Sequence, residues 1–192
     1  MDKFIDIHTH HPTDRVITPT AVGIHPWDAA SREVAEVVDD IAAAEVVGEI
    51  GLDAVCDIDP ERQLFVFREQ LALAEQFEKP VVLHCVRRFE QMMRVLAEYR
   101  LRAVIFHGFI GSPEQAKCAI ERGYFLSFGE RTFHSPKTIK ALRQTPINQL
   151  FIETDESHTP IAEIYEKIAE LRGISLDQLL SATKENFERI LG

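Results

Sequence analysis

Short apolar runs that stop at a histidine, a carboxylate or a glycine turn recur along this chain, and that punctuation constrains its fold more than any other feature. Phe4-Ile5-Asp6-Ile7 ends in His8-Thr9-His10, Ala21 to Ile24 in His25, and Val46-Val47-Gly48 in Glu49. Val81-Val82-Leu83 ends in His84, Ala103 to Phe106 in His107, Tyr124 to Phe128 in Gly129, and Gln149 to Ile152 in Glu153-Thr154-Asp155. Uninterrupted apolar strands alternating with amphipathic helices are the pattern of a parallel sheet covered by helices. An open doubly wound sheet gathers its site at one switch point, whereas polar residues at the C-terminal ends of most strands are what a closed barrel requires. The expected fold is therefore α/β, a distorted TIM-like (β/α) barrel of about seven parallel strands.

The helices carry local signals. Ser31 is expected to cap a helix with Val34, Val37, Val38 and Ile41 on one face. Asp59-Pro60 opens another, with Leu64, Phe67, Leu71, Ala74 and Phe77 as its buried stripe. A helix from Phe89 to Tyr99 follows, then a capping box at Ser112-Pro113-Glu114-Gln115 with Gly123 as the stop. Ser135-Pro136 opens a helix through Leu142, and Thr159-Pro160 and Ser175 to Gln178 begin two C-terminal helices. His11 to Thr20 is too short and proline-punctuated for a helix and a strand, so one strand–helix unit is missing near the N-terminus, with Arg15-Val16-Ile17 as a residual strand.

At 192 residues, with no linker-like composition shift, the chain reads as a single domain, 1–192. No apolar run approaches the roughly 20 residues that span a bilayer, and the charged, histidine-bearing N-terminus is unlike a signal peptide, so a cytoplasmic protein with no membrane contact is expected. Cys56, Cys85 and Cys118 have no disulfide spacing and are expected to be partly buried thiols. A formal net charge of −10 argues against broad attraction to polyanions.

The strand-end residues carry the chemistry. Residues two apart on a strand face the same way, so His8 and His10 converge. Either could by itself be a hydrogen-bonded core or surface imidazole. The strand-end set is His8, His10, His25, Glu49, His84, His107 and Asp155, and a site of four histidines and two carboxylates drawn from it at one barrel mouth suits two divalent cations (Mg, Mn or Zn), with nitrogen and oxygen ligands and no soft sulfur. Glu49, between glycines, can approach two ions and bridge them. Glu49 and Asp155 are the catalytic candidates, Asp155 both binding metal and taking a proton from the attacking water. His25, Arg87 and Arg131 are assigned to substrate; Arg88 and His134 stand beside them, and His11, His158 and Cys85 receive no role. Trp27 is expected to pack in the core, with a lid or stacking residue as the alternative.

These motifs resemble the TatD-like metal-dependent hydrolases, whose best-known members are deoxyribonucleases. The resemblance is carried by Asp6-Ile7-His8-Thr9-His10, Gly23-Ile24-His25-Pro26, Gly48-Glu49-Ile50-Gly51-Leu52-Asp53, the Pro80 to His84 strand, His107-Gly108-Phe109, Thr132-Phe133 and Glu153-Thr154-Asp155, and it runs to the closing Asn186-Phe187 helix. It implies metal ligands at His8, His10, Glu49, His84, His107 and Asp155, with Glu49 shared. The chain departs from the family in its missing strand–helix unit, in Val86 where the family has an arginine, in Ile110-Gly111, and in the short loop Glu156-Ser157-His158-Thr159-Pro160. The expected activity is divalent-metal-dependent hydrolysis of phosphodiester bonds by metal-activated water. Its substrate would be a phosphate-containing small molecule or a single-stranded nucleic-acid end, with no obligate protein partner. The alternatives are a two-metal hydrolase of a small ester, amide or phosphomonoester, and a non-enzymatic metal-binding barrel.

Overall fold

The computed structural model describes residues 4–14 and 16–192. They fall into two compact units, Thr20–Phe106 and a terminal unit made of Met1–Pro19 and His107–Gly192.

In the Thr20–Phe106 unit, β1 (Ala21–Val22), β2 (Val46–Asp53), β3 (Val81–Val86) and β4 (Val104–Phe106) pair in parallel in that order. The side chains of β2, β4 and the first half of β3 are almost wholly buried, as parallel strands covered on both faces require, while β1 and the end of β3 are partly exposed. The helices are α1 (Val38–Ala43), α2 (Pro60–Gln76) and α3 (Phe89–Leu96). Asp59 caps α2, its carboxylate accepting the Arg62 N–H with Pro60 in the first turn, as the sequence predicts.

Two expectations need correction here. The helix from Ser31 is broken into a 3-10 turn, Val34–Glu36, and α1, with Val37 at φ −119° between them. The Ser31 hydroxyl donates to the Asp28 carbonyl instead of accepting a helix N–H, and the β-branched Val34, Val37 and Val38 give the segment weak helical preference. On α2 the buried stripe is rotated: Leu64 and Phe77 are half-buried, while Gln63 and Gln70 are buried beside Val66, Phe67, Leu71 and Ala74.

The two glutamines are seven residues apart on one face of α2, and each clamps a loop. Gln70 accepts the Ile24 N–H (2.6 Å) and donates to the Ile24 carbonyl (3.1 Å), fixing the segment that delivers His25. Gln63 accepts the Asp53 N–H (2.8 Å) and donates to the Asp53 and Ile58 carbonyls, fixing the end of β2. Gln70→Leu keeps the volume but leaves both Ile24 groups buried and unpaired. It is expected to lower stability by about 1–3 kcal/mol in urea unfolding.

In the terminal unit, β5 (Phe125–Phe128) and β6 (Leu150–Ile152) pair in parallel beside α4 (Pro113–Glu121), α5 (Pro136–Gln144), α6 (Ile161–Arg172) and α7 (Leu176–Leu191). Both capping boxes form: Ser112 with Gln115, and Ser175 with Gln178. Ser135 caps α5 through the Thr138 N–H. Pro160, preceding α6, makes no side-chain cap, so the predicted start at Thr159 is a proline turn without a hydroxyl cap. Buried Asn186 on α7 donates to the Ile147 and Leu150 carbonyls, seating the helix on the start of β6.

The expected first strand is reduced to isolated parallel bridges, Ile5 with Ile17 and Thr9 with Asp155. Its partner on one side is a single residue, because the loop from His11 brings only Ile17 alongside; Arg15 lies outside the described residues. Ile7 donates its N–H to the Ile152 carbonyl (3.1 Å), and the Tyr165 hydroxyl on α6 donates to the Ile5 carbonyl (2.8 Å). Among the described residues of the His11 to Thr20 segment there is no helix, in accord with the missing unit.

Candidate metal centre

In the Thr20–Phe106 unit the donors come from within β2 (Glu49) and β3 (His84), which run on to Asp53 and Val86, and from His25 before the 3-10 turn Pro26–Asp28. Glu49 Oε2 lies 3.4 Å from His84 Nδ1 and 3.8 Å from His25 Nε2, and the His25 and His84 rings meet edge to face at 4.4 Å. The strands come this close because their glycines are bare: a Cβ at Gly48 would sit 2.7 Å from that of Val82, and one at Gly51, where φ is +153°, would overlap the His84 carbonyl. The other His84 nitrogen, Nε2, is 3.0 Å from Asp53 Oδ2. Burial pushes the Asp53 carboxyl up, but hydrogen bonds from the Trp27 indole, the Val55 N–H and His84 outweigh it and hold Asp53 below the usual carboxylate range. A carboxylate can only accept, so His84 donates to Asp53 through Nε2, and the ring is held with Nδ1 facing Glu49. His25 is held by a different contact, its Nδ1 accepting the Trp27 N–H and its Nε2 facing Glu49.

The terminal unit holds its own donors. His8 Nε2 and His10 Nε2 approach the same oxygen of Asp155 at 3.8 and 3.6 Å. The backbone sets this convergence: Asp155 donates its N–H to the His8 carbonyl and accepts the His10 N–H at its own carbonyl. His107 stacks edge to face on His8 at 4.7 Å, and its Nδ1 lies 3.3 Å from Glu153 Oε1. Glu153 is fully buried, yet the His107 and His8 imidazoles hold its carboxyl below the usual range against that burial. A cleft of about 230 Å³ opens beside these residues, lined among others by Arg131, Thr132, Glu153, Asp155 and Ser157.

Asp6 supports this end without facing the donors. Both its oxygens are taken by Thr154, one by the N–H (3.0 Å) and one by the hydroxyl (2.7 Å). Burial raises its carboxyl to about 6, against the pull of the Thr154 hydrogen bonds. The folded chain thus holds this proton more tightly than the unfolded one, so the contribution is present below about pH 4 and is lost as pH rises toward 6. Metal-free protein is expected to lose of order 2–3 kcal/mol across that window relative to Asp6→Asn, measured by denaturant unfolding at each pH.

The donor chemistry fits divalent cations. In His25, Glu49 and His84, and in His107, Glu153 and Asp155, the candidate ligand atoms lie within 4.8 Å of one another. Ligands bound at 2.0–2.2 Å around one ion lie about 3.0–3.5 Å apart, so small contractions would suffice. Nitrogen and oxygen donors without thiolate suit Mg, Mn or Zn. The three cysteines are free thiols, and burial pushes Cys85 up to about 12, so it supplies no thiolate.

The structure therefore brings His8, His10, His107 and Asp155 together in one unit, and Glu49 and His84 in the other. His25, expected to face substrate, stands as a third member of the Glu49–His84 cluster. Arg131 reaches the cleft beside Asp155, whereas Arg87 is exposed at the turn after β3, with φ 53°. Trp27 corrects the expectation of core packing: it is 59% exposed, because its indole N–H is drawn to Asp53 at 2.8 Å. Sequence reasoning missed Asp53 and Glu153 as partners of His84 and His107, although both lie inside quoted motifs. A carboxylate beside a run ending in histidine was the available signal.

Strand-end imidazoles and carboxylates on an α/β fold define a metal-dependent hydrolase. The model of the TatD related DNase family matches residues 9–192. The metal-dependent hydrolase YabD of Bacillus subtilis is 32% identical over 88% of this chain and 76% of its own length. The 3'-5' ssDNA/RNA exonuclease TatD of Erwinia tasmaniensis is 27% identical over 89% of this chain and 77% of its own. The crystal structure of YjjV, a TatD homologue from Escherichia coli K12, superposes with a TM-score of 0.82 at 27% identity, covering 93% of this chain and 78% of that one. The chain belongs to the TatD related DNase family and has its α/β, distorted-barrel class of fold. Among the described residues, no helix is long and apolar enough to cross a membrane.

Proposed function

We propose that this metal-dependent hydrolase cleaves phosphodiester bonds, taking the end of a short single strand of nucleic acid in preference to long duplex. The observation that carries the reading is the clustering of nitrogen and oxygen donors, with candidate ligand atoms within 4.8 Å of one another in His25, Glu49 and His84 and in His107, Glu153 and Asp155. The family supports the substrate class, since a relative of which this chain covers 77% is named as a single-strand exonuclease. The net charge of −10 disfavours long polyanions.

In this reading His8, His10, Glu49, His84, His107 and Asp155 hold two divalent ions, Mg, Mn or Zn, with Glu49 the shared ligand. The chain works as one cytoplasmic hydrolase domain. A bound cation supplies Lewis acidity and lowers the pKa of water toward neutrality. Asp155 takes the proton of the attacking water, its backbone fixed by the hydrogen bonds to the His8 carbonyl and from the His10 N–H. Asp53 and Glu153 hold the rings of His84 and His107, so each presents its other nitrogen without rotation. Arg131 offers a forked, charged donor to a phosphate in the cleft beside Asp155, with His25 and Arg87 as further substrate contacts.

The test is a 5′-labelled single-stranded oligonucleotide incubated with the metal-loaded protein. A ladder of shortened products that a chelator abolishes, with duplex cut far more slowly, is the expected result. One observation favours a second reading, hydrolysis of a small phosphomonoester, ester or amide: the cleft that holds Arg131 is also lined by Glu130, Glu153, Asp155 and Glu156, an acidic surround for a polyanion. Intact oligonucleotide together with rapid hydrolysis of p-nitrophenyl phosphate would transfer the assignment to it.

A further inference from the structure

Trp27 is unusually placed for the largest side chain in the protein. It stands in the 3-10 turn Pro26–Asp28 directly after His25, and 59% of it is exposed. Yet the ring is not adrift. Its N–H donates to Asp53 Oδ2 (2.8 Å), the same oxygen that accepts from His84 Nε2 (3.0 Å). The second Asp53 oxygen is held by the Val55 N–H (2.7 Å) and the Cys56 N–H (3.3 Å), so the buried carboxylate cannot swing away. The indole also meets His25 edge to face, with ring centres 5.2 Å apart, and its centre lies 6.4 Å from that of His84. An apolar ring kept in water costs free energy that burial would recover, and here its orientation is fixed by the carboxylate that orients a candidate metal ligand.

We propose that Trp27 is a stacking platform for a nucleobase, receiving the base next to the bond that is cut. This deepens the phosphodiester reading and rests on it. The position suits a nucleotide: the indole centre lies 5.2 Å from the His25 ring and 6.4 Å from the His84 ring, so a phosphate held beside those imidazoles would leave its base within reach of the indole. Stacking on an exposed indole is tolerant of base identity and needs an unpaired base, which selects single strands without a basic surface. A ring already fixed by Asp53 loses little freedom when it stacks.

Trp27 is the only tryptophan in the chain, so its fluorescence reports on the platform without any turnover. The probes are a phosphorothioate-linked deoxyadenosine tetranucleotide and an abasic tetranucleotide carrying the same number of phosphates. Saturable quenching by the first and none by the second is expected. With unmodified tetranucleotide as substrate, Trp27→Ala should raise KM about tenfold, most of the loss falling in KM rather than kcat, and Trp27→Phe should recover most of it. Equal quenching by both probes, no quenching by either, or a parental KM in Trp27→Ala overturns the platform. If the base-bearing probe alone quenches but the unmodified strand is never hydrolysed, the platform stands and the phosphodiesterase reading falls. Hydrolysis without quenching does the reverse.

Discussion

Asp155→Asn is expected to lower chelator-sensitive phosphodiester hydrolysis by about 10²–10⁴-fold, the usual contribution of a positioned general base. Asparagine keeps the shape of the side chain and removes its charge and its basicity. The backbone tolerates the exchange, because residue 155 sits at φ 54°, in the left-handed region that asparagine and aspartate enter more readily than other side chains. The backbone links to His8 and His10 do not involve the side chain and should persist. A folded variant with unchanged thermal unfolding and a large drop in kcat would support the assignment. Equal phosphodiesterase rates in the variant and the parent would exclude Asp155 as the base.

Glu49→Ala is expected to cost the protein most of its bound metal. Glu49 Oε2 is the oxygen that both His84 and His25 face, so its removal leaves two imidazoles 4.4 Å apart with no anion between them. If Glu49 is the shared ligand, both ions weaken together, and elemental analysis after gel filtration should fall from two equivalents to well below one. The drop should exceed the 10–100-fold loss of affinity typical for residues that only orient a ligand. Retention of two equivalents at parental affinity would refute the bridging role. Glu49→Gln separates charge from shape: it keeps an oxygen donor and should retain more metal than the alanine variant.

Much of this was legible in the sequence, for reasons that differ from residue to residue. The pattern of apolar runs leading into His25, Glu49, His84, His107 and Asp155 picked out candidate donors because burial and strand direction are local consequences of residue order. The caps at Asp59, Ser112, Ser135 and Ser175 were readable for the same reason, since each satisfies its own helix end within three residues. Pairing was not readable. Phe4 to His10 has the composition of a strand but forms only isolated bridges, because its partner is as short as Ile17. Gln63 and Gln70 look like solvated helix residues until the loops they clamp are in place. Asp53 and Glu153 belong to the same class: what they do depends on His84 and His107, 31 and 46 residues away. Trp27 was misread because aromatic composition predicts burial, while one hydrogen bond to Asp53 keeps this ring at the surface.

The most direct test of the whole account is a metal titration of activity. Protein stripped with a chelator and dialysed free of it is titrated with Mn²⁺ while hydrolysis of a single-stranded oligonucleotide is followed. The account predicts no hydrolysis by the stripped protein and a rate that climbs until two equivalents are bound. Hydrolysis by the stripped protein at the rate of the loaded one, or a loaded protein that leaves the oligonucleotide intact and cleaves only a carboxyl ester, would contradict it.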